Sequence, residues 1–364
     1  MEFIRFPWEV YRGDKNWVPP IVKQQKRFLS PANPFFDHGE AAYYLALRGG
    51  KICGRVAASI DHNYAAFHHE KMGCFGFFEV FNDSEVASRL LDAAHDWLTQ
   101  KGMEVMRGPL NFTTREERGL LLQGFDVAPM MPSAYNPAYY VDLIESYGLK
   151  KVTDWYSYRI ADVHKLNMSF LSEIAERAAD NGVTARSINR KQLRTEFERI
   201  REIVKGIYDN AWTSNWGFVP LTDAEAQEMG DHLRALAVDD LVFIGEVDGR
   251  PVGFLILMPD YNVVLKKMNG KMGPVQVARF LWYRNRAKKE HVQVFAGGVL
   301  PDYQRMGVAA VMGVKAFENG IRLGYKSAEF PLALEDNVGS VTIVEMLRAE
   351  RFKTHRMYQM PLSS

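Results

Sequence analysis

Six residues recur in this chain at one fixed separation, and that register limits the possible folds more than any other feature of the sequence. Asn16 and Trp17 reappear 199 residues later as Asn215 and Trp216, and Gly50, Gly54, Asp61 and Asn63 reappear as Gly249, Gly253, Asp260 and Asn262. The glycines lie in two apolar strand-turn-strand stretches, one over residues 45–55 and one over 244–254. A chain punctuated twice in one register is built by repeating a half. Gly50 and Gly249 fit hairpin turns that need a positive φ, while Gly54 and Gly253 fall in the outgoing strands and permit a bulge or a close backbone approach. Late strands at residues 156–160 and 356–360 end the two copies alike, so the first repeat closes near residue 161.

The 364 residues suffice for two domains of ordinary size. With 45 basic against 44 acidic side chains, the chain offers no global field for nucleic acid. Two cysteines, Cys53 and Cys74, cannot make a disulfide framework, and a cytoplasmic location is the simpler expectation. The opening residues 1–7 lack the basic start and apolar run of a secretion signal. The apolar run 255–258 ends at Pro259, far short of a membrane span, so no integral membrane association is expected.

The sharpest ligand signal is the run Val299-Leu300-Pro301-Asp302-Tyr303-Gln304-Arg305-Met306-Gly307-Val308-Ala309. Val292, Val294 and Ala296 alternate before it, and Val308, Val311, Met312, Lys315, Ala316 and Phe317 follow at helical spacing. A turn between strand and helix points successive backbone N–H groups into one concavity, which suits a pyrophosphate. Gly307 removes a side chain where an anion would approach, and Ala309 keeps the first helical turn thin.

Gln304-Arg305-Met306-Gly307-Val308-Ala309 resembles the (Gln/Arg)-x-x-Gly-x-(Gly/Ala) acyl-CoA signature of the GNAT-type acyltransferases. The resemblance implies an α/β (α+β) chain of tandem GNAT-like folds, each a mixed, mainly antiparallel sheet flanked by helices. It also implies a sheet split between its fourth and fifth strands, with the CoA pyrophosphate on the turn and the thioester along the strand ending at Val299. Residues 1–161 would form a degenerate copy, 162–199 a connector and the start of the helical region, and 200–364 the acyl-CoA-binding copy. The first copy runs from residues 78–83 directly into a helix with the apolar stripe Val86, Leu90, Leu91, Ala94, Trp97 and Leu98. No phosphate-binding turn intervenes there, so one acyl-CoA per chain is expected.

Several side chains near the implied split carry candidate chemistry. Glu335, past the strand expected over 326–333, is the carboxylate expected to take a proton from an incoming amine, provided a dry cleft raises its pKa. Asn337 resembles the asparagine that opens the family's next helix, as a cap alone or as a cap that also holds pantetheine. The helix after it contains no tyrosine to return a proton to the CoA thiolate; Tyr358 and His291 are weaker candidates, better explained as an ordinary strand aromatic and a surface histidine. The resemblance also implies an oxyanion contact from a strand N–H near Val299.

Trp212 and Trp216 fall in the segment that lines the acceptor side in the resembling family, and with Phe218 they offer an apolar wall. The expected reaction is transfer of an acyl group from acyl-CoA, acetyl-CoA foremost, to the amine of a small metabolite. A CoA-binding regulatory module without transfer, or an acyl or aminoacyl transferase with another donor, are the rival readings. The aromatic and basic segment 276–289 reads first as a plain amphipathic helix with a solvated charged side; the alternatives are that it covers the cleft, meets another subunit in a homo-oligomer or rests on an anionic lipid surface. His62, His68 and His69 lack the helical spacing of a zinc site, and no metal is expected.

Overall fold

The computed structural model describes residues 1–210, 216–286 and 290–362. Its strands are β1 (Gly39–Arg48), β2 (Lys51–Asp61), β3 (Met72–Val80), β4 (Val105–Gly108), β5 (Leu120–Gln123), β6 (Lys150–Ile160), β7 (Val183–Ser187), β8 (Val242–Val247), β9 (Arg250–Pro259), β10 (His291–Val299), β11 (Ser327–Leu334) and β12 (Glu350–Pro361). The helices that position the site are α1 (Ser84–Gln100), α2 (Ser169–Ala179), α3 (Leu193–Asn210), α4 (Asp223–Leu236), α5 (Asn262–Met268), α6 (Pro274–Arg286), α7 (Val308–Arg322) and α8 (Val338–Met346).

The repeated residues do the same physical work twice. Gly50 and Gly249 take φ of 76° and 77° in the β1–β2 and β8–β9 turns, a region that costs a side chain 1–2 kcal/mol by rough estimate. A Cβ on Gly54 would lie 2.6 Å from Leu90 of α1, and one on Gly253 would lie 3.1 Å from Val308 and Met312 of α7. Each glycine therefore lets the central helix of its half settle onto the sheet. The Asp61 carboxylate accepts the Asn63 N–H at 2.9 Å, and that of Asp260 accepts the Asn262 N–H at 2.8 Å, so both copies turn from strand into a short helix by the same device.

All the strands join one sheet in the order β1-β2-β3-β4-β12-β6-β11-β10-β9-β8-β7, with β5 on β12. The pattern β1-β2-β3-β4 is matched by β8-β9-β10-β11: antiparallel neighbours, then one parallel pair, β3 with β4 and β10 with β11. The final strands are exchanged. β6, late in the first half, lies against β11, whereas β12, at the end of the second, lies against β4, and the two pair with each other. β7 was not anticipated from sequence, because a five-residue edge strand after α2 carries too little alternation to stand out.

The cores follow this exchange. Tyr358 and Leu362 complete the cluster formed by Leu90 and Leu91 of α1 with Phe75 and Met106, while Ile200, Val204 and Ile207 of α3 pack on Ile244, Phe254 and Ile256. Among the described residues, no helix is long and apolar enough to cross a membrane.

A fragment ending at residue 161 lacks β12, which would leave β4 and β6 with bare edges and the first core without Tyr358. It is expected to aggregate or remain unfolded, while the intact chain loses circular dichroism in one cooperative transition. A soluble fragment with native-like dichroism and its own sharp transition would contradict this account of the exchange.

Candidate active site at the fork of the second half

The parallel pairing of β10 with β11 lasts three residues, His291 with Ser327, Val292 with Ala328 and Gln293 with Glu329, and then the strands diverge. Immediately beyond, the β9–β10 register slips between Val294 and Ala296, leaving Phe295 as a bulge. Bulges increase local twist and re-aim backbone groups, so this one bends β10 away from β11 and opens a fork. Phe295, Ala296 and Gly298 are half-buried along that edge and Gly297 is exposed.

Gln293 and Glu329 stand at the apex, 2% and 6% exposed, and the Oε1 atom of each is buried without a hydrogen-bond partner. Such acceptors are uncommon in protein interiors. Lys353 on β12 is 1% exposed and donates to the Ala128 carbonyl at 2.8 Å. Burial pushes the Glu329 carboxyl up to about 7; the Lys353 ammonium opposes the shift, Asp260 adds to it and Arg159 also opposes it. Burial likewise lowers Lys353, with Glu329 as the leading opposing influence. Both shifts favour the uncharged pair, and a carboxyl poised near neutral pH is suited to exchange protons with an amine.

A segment of the first half closes over this apex. The Met131 carbonyl accepts from Gln293 at 2.9 Å, Ala134 from the His355 ring at 2.9 Å and Pro129 from the Asn262 amide at 2.7 Å. His355 is fully buried, and burial lowers its pKa to about 4, so it is a neutral ring at physiological pH.

The first half has the corresponding fork, and its own chain fills it. β3 and β4 pair from Met72 with Val105 to Cys74 with Arg107, after which Leu110 donates its N–H to the Phe75 carbonyl at 2.8 Å and the Asn111 side chain accepts the Phe77 N–H at 2.7 Å. The apex carries Arg107, bound to Glu70 at 2.8 Å, Tyr64 at 2.7 Å and Gln359 at 2.7 Å. About 10 Å³ is left beside it, room for roughly one water.

At the far end of β10, Pro301–Met306 forms a 3-10 turn and α7 begins after Gly307, which has φ of 79° and provides no side-chain cap. Gln304, Arg305, Met306 and Ala309 are exposed, Val308 is buried, and Gln304 donates to the Val299 carbonyl at 3.4 Å. A Cβ on Gly307 would lie 2.8 Å from Ala178 of α2. Glycine is thus required by backbone conformation and by helix packing, independently of any ligand.

Other expected site residues stand differently from the sequence reading. Glu335 is not a raised carboxyl: partial burial works in that direction, but Lys151 at 2.8 Å and the Asp154 N–H at 3.0 Å hold its pKa below the usual carboxylate range. An ion-paired carboxylate is a weak base, and Glu329 replaces it as the candidate. Val299 lies six residues past the apex, about 20 Å along an extended strand, so an oxyanion contact beside Glu329 would come from the bulge near Phe295 instead. Asn337 directly precedes α8, and its carbonyl accepts the Val341 N–H at 3.1 Å. Tyr358 donates to Glu145 of the first half at 2.8 Å, and the exposed His291 contacts Ser327 at 2.5 Å.

Trp212 lies outside the described residues. At Trp216, where the described chain resumes after α3, it has crossed to the first half: the ring packs 5.3 Å from that of Trp155, with Arg107 at 5.3 Å, against a cluster that also holds Leu332 and Leu334 of β11. Thr114 fixes that crossing by donating to the Gly217 carbonyl at 2.8 Å, and the His68 ring contacts the Phe218 carbonyl at 2.6 Å. Glu329 and Lys353 escaped notice in the sequence; a lone charge inside an otherwise largely apolar strand was the available signal for Glu329, whereas Lys353 stands among the polar residues of β12 and carried none.

No protein-family model matches the chain. Protein YghO of Escherichia coli is 31% identical over 361 residues, covering 98% of this chain and 91% of the relative. The bacterial ceramide synthase of Caulobacter vibrioides is 30% identical over 366 residues, covering 99% and 94%. In structure, the chain is similar to a tandem GNAT protein from the clavulanic acid biosynthesis pathway, with TM-score 0.55 and 9% identity over 100% of this chain and 94% of that one. A fungal glucosamine N-acetyltransferase region has TM-score 0.54 at 13% identity over 99% of this chain and 37% of the longer one. These likenesses establish the GNAT fold, as the Gln304–Ala309 run implied. The Caulobacter relative is named for making a ceramide, and that finding overturns the expectation of a small-metabolite amine as acceptor and partner.

Glu329 gives a stability signature. Its folded pKa lies above the ordinary 4.5, so its contribution is fully present below about pH 4.5 and is lost as pH rises through about 7. Glu329→Gln removes that loss, and its stability relative to wild type is expected to improve by on the order of 2–3 kcal/mol between pH 5 and pH 8 in urea titrations. A difference between the two proteins that does not vary with pH would show that Glu329 is ionised throughout.

Proposed function

The chain belongs to the family of Escherichia coli YghO and the Caulobacter vibrioides bacterial ceramide synthase, and on that premise we propose that it is an acyl-CoA-dependent N-acyltransferase whose acceptor is a lipid amine. The observation that carries the reading is the fork between β10 and β11, ending on buried Glu329, with the Gly307 turn at its other end. A ceramide is the amide of a long-chain amino alcohol, so the acceptor class is a long-chain amine and the donor a fatty acyl-CoA. The internally duplicated chain would use one of its two forks, since residues 110–111 occupy the first.

Acyl-CoA would supply an activated thioester, its pyrophosphate facing the uncapped N–H groups of Gly307, Val308 and Ala309 with Gln304, Arg305 and Met306 beside them. Its pantetheine would run along the β10 edge from Val299 toward the apex, a span of about 20 Å, and Asn337 would flank the other side. Glu329 takes a proton from the ammonium, freeing the nitrogen lone pair to attack the thioester carbonyl. A bulge N–H near Phe295 faces the developing oxyanion; collapse forms the amide and breaks the C–S bond, and the second proton lost by the attacking nitrogen passes to the departing sulfur. The thiolate leaves as the conjugate base of a modest acid, so a tyrosine in α8 is dispensable.

The direct test is CoA release from a fatty acyl-CoA with a long-chain amino alcohol dispersed in detergent, the amide being identified by mass. Glu329→Gln is expected to lower kcat by roughly 10²–10⁴-fold and to remove the acid limb of the wild-type profile near pH 7. No amide from any long-chain amine, or an unchanged limb in the variant, would refute the assignment.

The turn has its own check. Ala309 is exposed in the first turn of α7, where an acidic side chain favours the helix but competes with a bound anion. Ala309→Glu should therefore keep the melting temperature while weakening acyl-CoA binding about tenfold or more by calorimetry. Equal affinities would place the CoA phosphates elsewhere.

A further inference from the structure

Exposed apolar side chains are concentrated on one face of the molecule. Of the sixteen large hydrophobic residues exposed among the described residues, six fall within residues 263–282: Val263, Met272, Val275, Val277, Leu281 and Trp282. Trp282 is 60% exposed and Val275 67%. On α6, Gln276, Phe280 and Tyr283 are half-buried and turned inward, while Val275, Ala278, Leu281 and Trp282 are exposed, so the apolar stripe points away from the core. Isolated exposed hydrophobics are ordinary, but a contiguous apolar stripe marks an interaction surface.

The surroundings are basic. Arg5, Lys23, Lys26 and Lys271 line a groove of about 380 Å³ beside Met272, with no acidic residue in its wall. Lys267 and Arg279 are also exposed along this face. A second copy of the chain would set these cations against one another, whereas an anionic surface complements them.

We propose that the α5–α6 face docks on the surface of an anionic lipid bilayer, with Val275, Leu281 and Trp282 in the headgroup–acyl boundary and the basic groove against lipid phosphates. An outward apolar stripe with flanking lysines suits a helix lying in the interface plane, and tryptophan favours that depth. Docking also has a purpose that rests on the lipid-acceptor reading above, because a long-chain amine resides in the bilayer. α6 touches the floor of the site: its inner Phe280 packs 5.2 Å from Tyr261, and Tyr283 donates to the Asp260 carbonyl at 3.0 Å. The Asp260 N–H in turn donates to the His291 carbonyl at 3.1 Å, two residues before the fork apex.

The test is flotation of the full-length chain with vesicles of phosphatidylglycerol and phosphatidylethanolamine, against vesicles of phosphatidylcholine alone. Wild type is expected to float with the anionic vesicles, and both Val275→Glu/Trp282→Glu and Lys23→Glu/Lys26→Glu/Lys271→Glu to lose about tenfold or more in affinity. Circular dichroism and acyl-CoA binding should be unchanged in both variants. Failure of wild type to bind, equal binding to neutral vesicles, or variants that bind as wild type does would overturn the proposal. So would a dimer that Trp282→Glu dissociates without any vesicle binding. Acylation in detergent separates the two readings: variants that keep their detergent rate but lose the vesicle rate support docking. Wild type that binds anionic vesicles yet never acylates a lipid amine retains docking and removes the transferase reading.

Discussion

The antiparallel pairing of β6 with β12 is the interaction on which the rest of the molecule depends. Both strands have been handed across, so neither half can satisfy its own sheet alone. β12 brings Gln359 to the apex of the first fork, and β6 brings Arg159 opposite Glu329 at the apex of the second. The backbone ladder that unites the halves is therefore also what sets a polar side chain beside each fork, an amide at the first and a guanidinium at the second. An unpaired sheet edge inside a protein exposes polar groups that must be satisfied, so the exchange ties each half's folding to its partner's.

That arrangement explains how Glu329 stays buried without a direct ion pair. Lys353 reaches the same interior from β12 but donates to a carbonyl of the 128–134 segment, so the carboxyl and the ammonium influence one another through the field rather than through a contact. Pairing them directly would have fixed the charged form and held the carboxyl low, as Lys151 does to Glu335. Two carboxylates near the diverging strands thus have opposite characters, decided by whether an ammonium sits within hydrogen-bond reach.

Much of the scaffold was legible because its signals are local. The repeated glycines and aspartates must punctuate the chain wherever they stand, and the stripe Val86, Leu90, Leu91, Ala94 and Leu98 identifies a helix without reference to its neighbours. The Gln304–Ala309 run, likewise local, gave the fold family. Glu335 was misread because proximity to a strand end says nothing of Lys151, 184 residues away in sequence. Glu329 was missed for the same reason: burial depends on a segment from the other half, and no periodicity encodes it. Trp216 carried the repeat's register but not its surroundings, since Trp17 stacks on Tyr11 whereas Trp216 packs on Trp155.

The duplicated half has a part of its own. Its fork is closed by Leu110 and Asn111, which make with β3 the backbone contacts that a ligand lying along that strand would otherwise make. The segment beyond then folds over the other fork, and Ala128, Pro129, Met131 and Ala134 each present a carbonyl to a buried side chain there. A carbonyl satisfies an ammonium, an amide or a neutral imidazole without adding charge, which leaves Glu329 as the unpartnered carboxyl at the apex. An acidic residue in the same wall would have captured Lys353, and a basic one would have ionised Glu329. The first half thus covers the apex with neutral acceptors at hydrogen-bond distance, while Asp126, Asp260 and Arg159 bias the proton balance of Glu329 and Lys353 from further away.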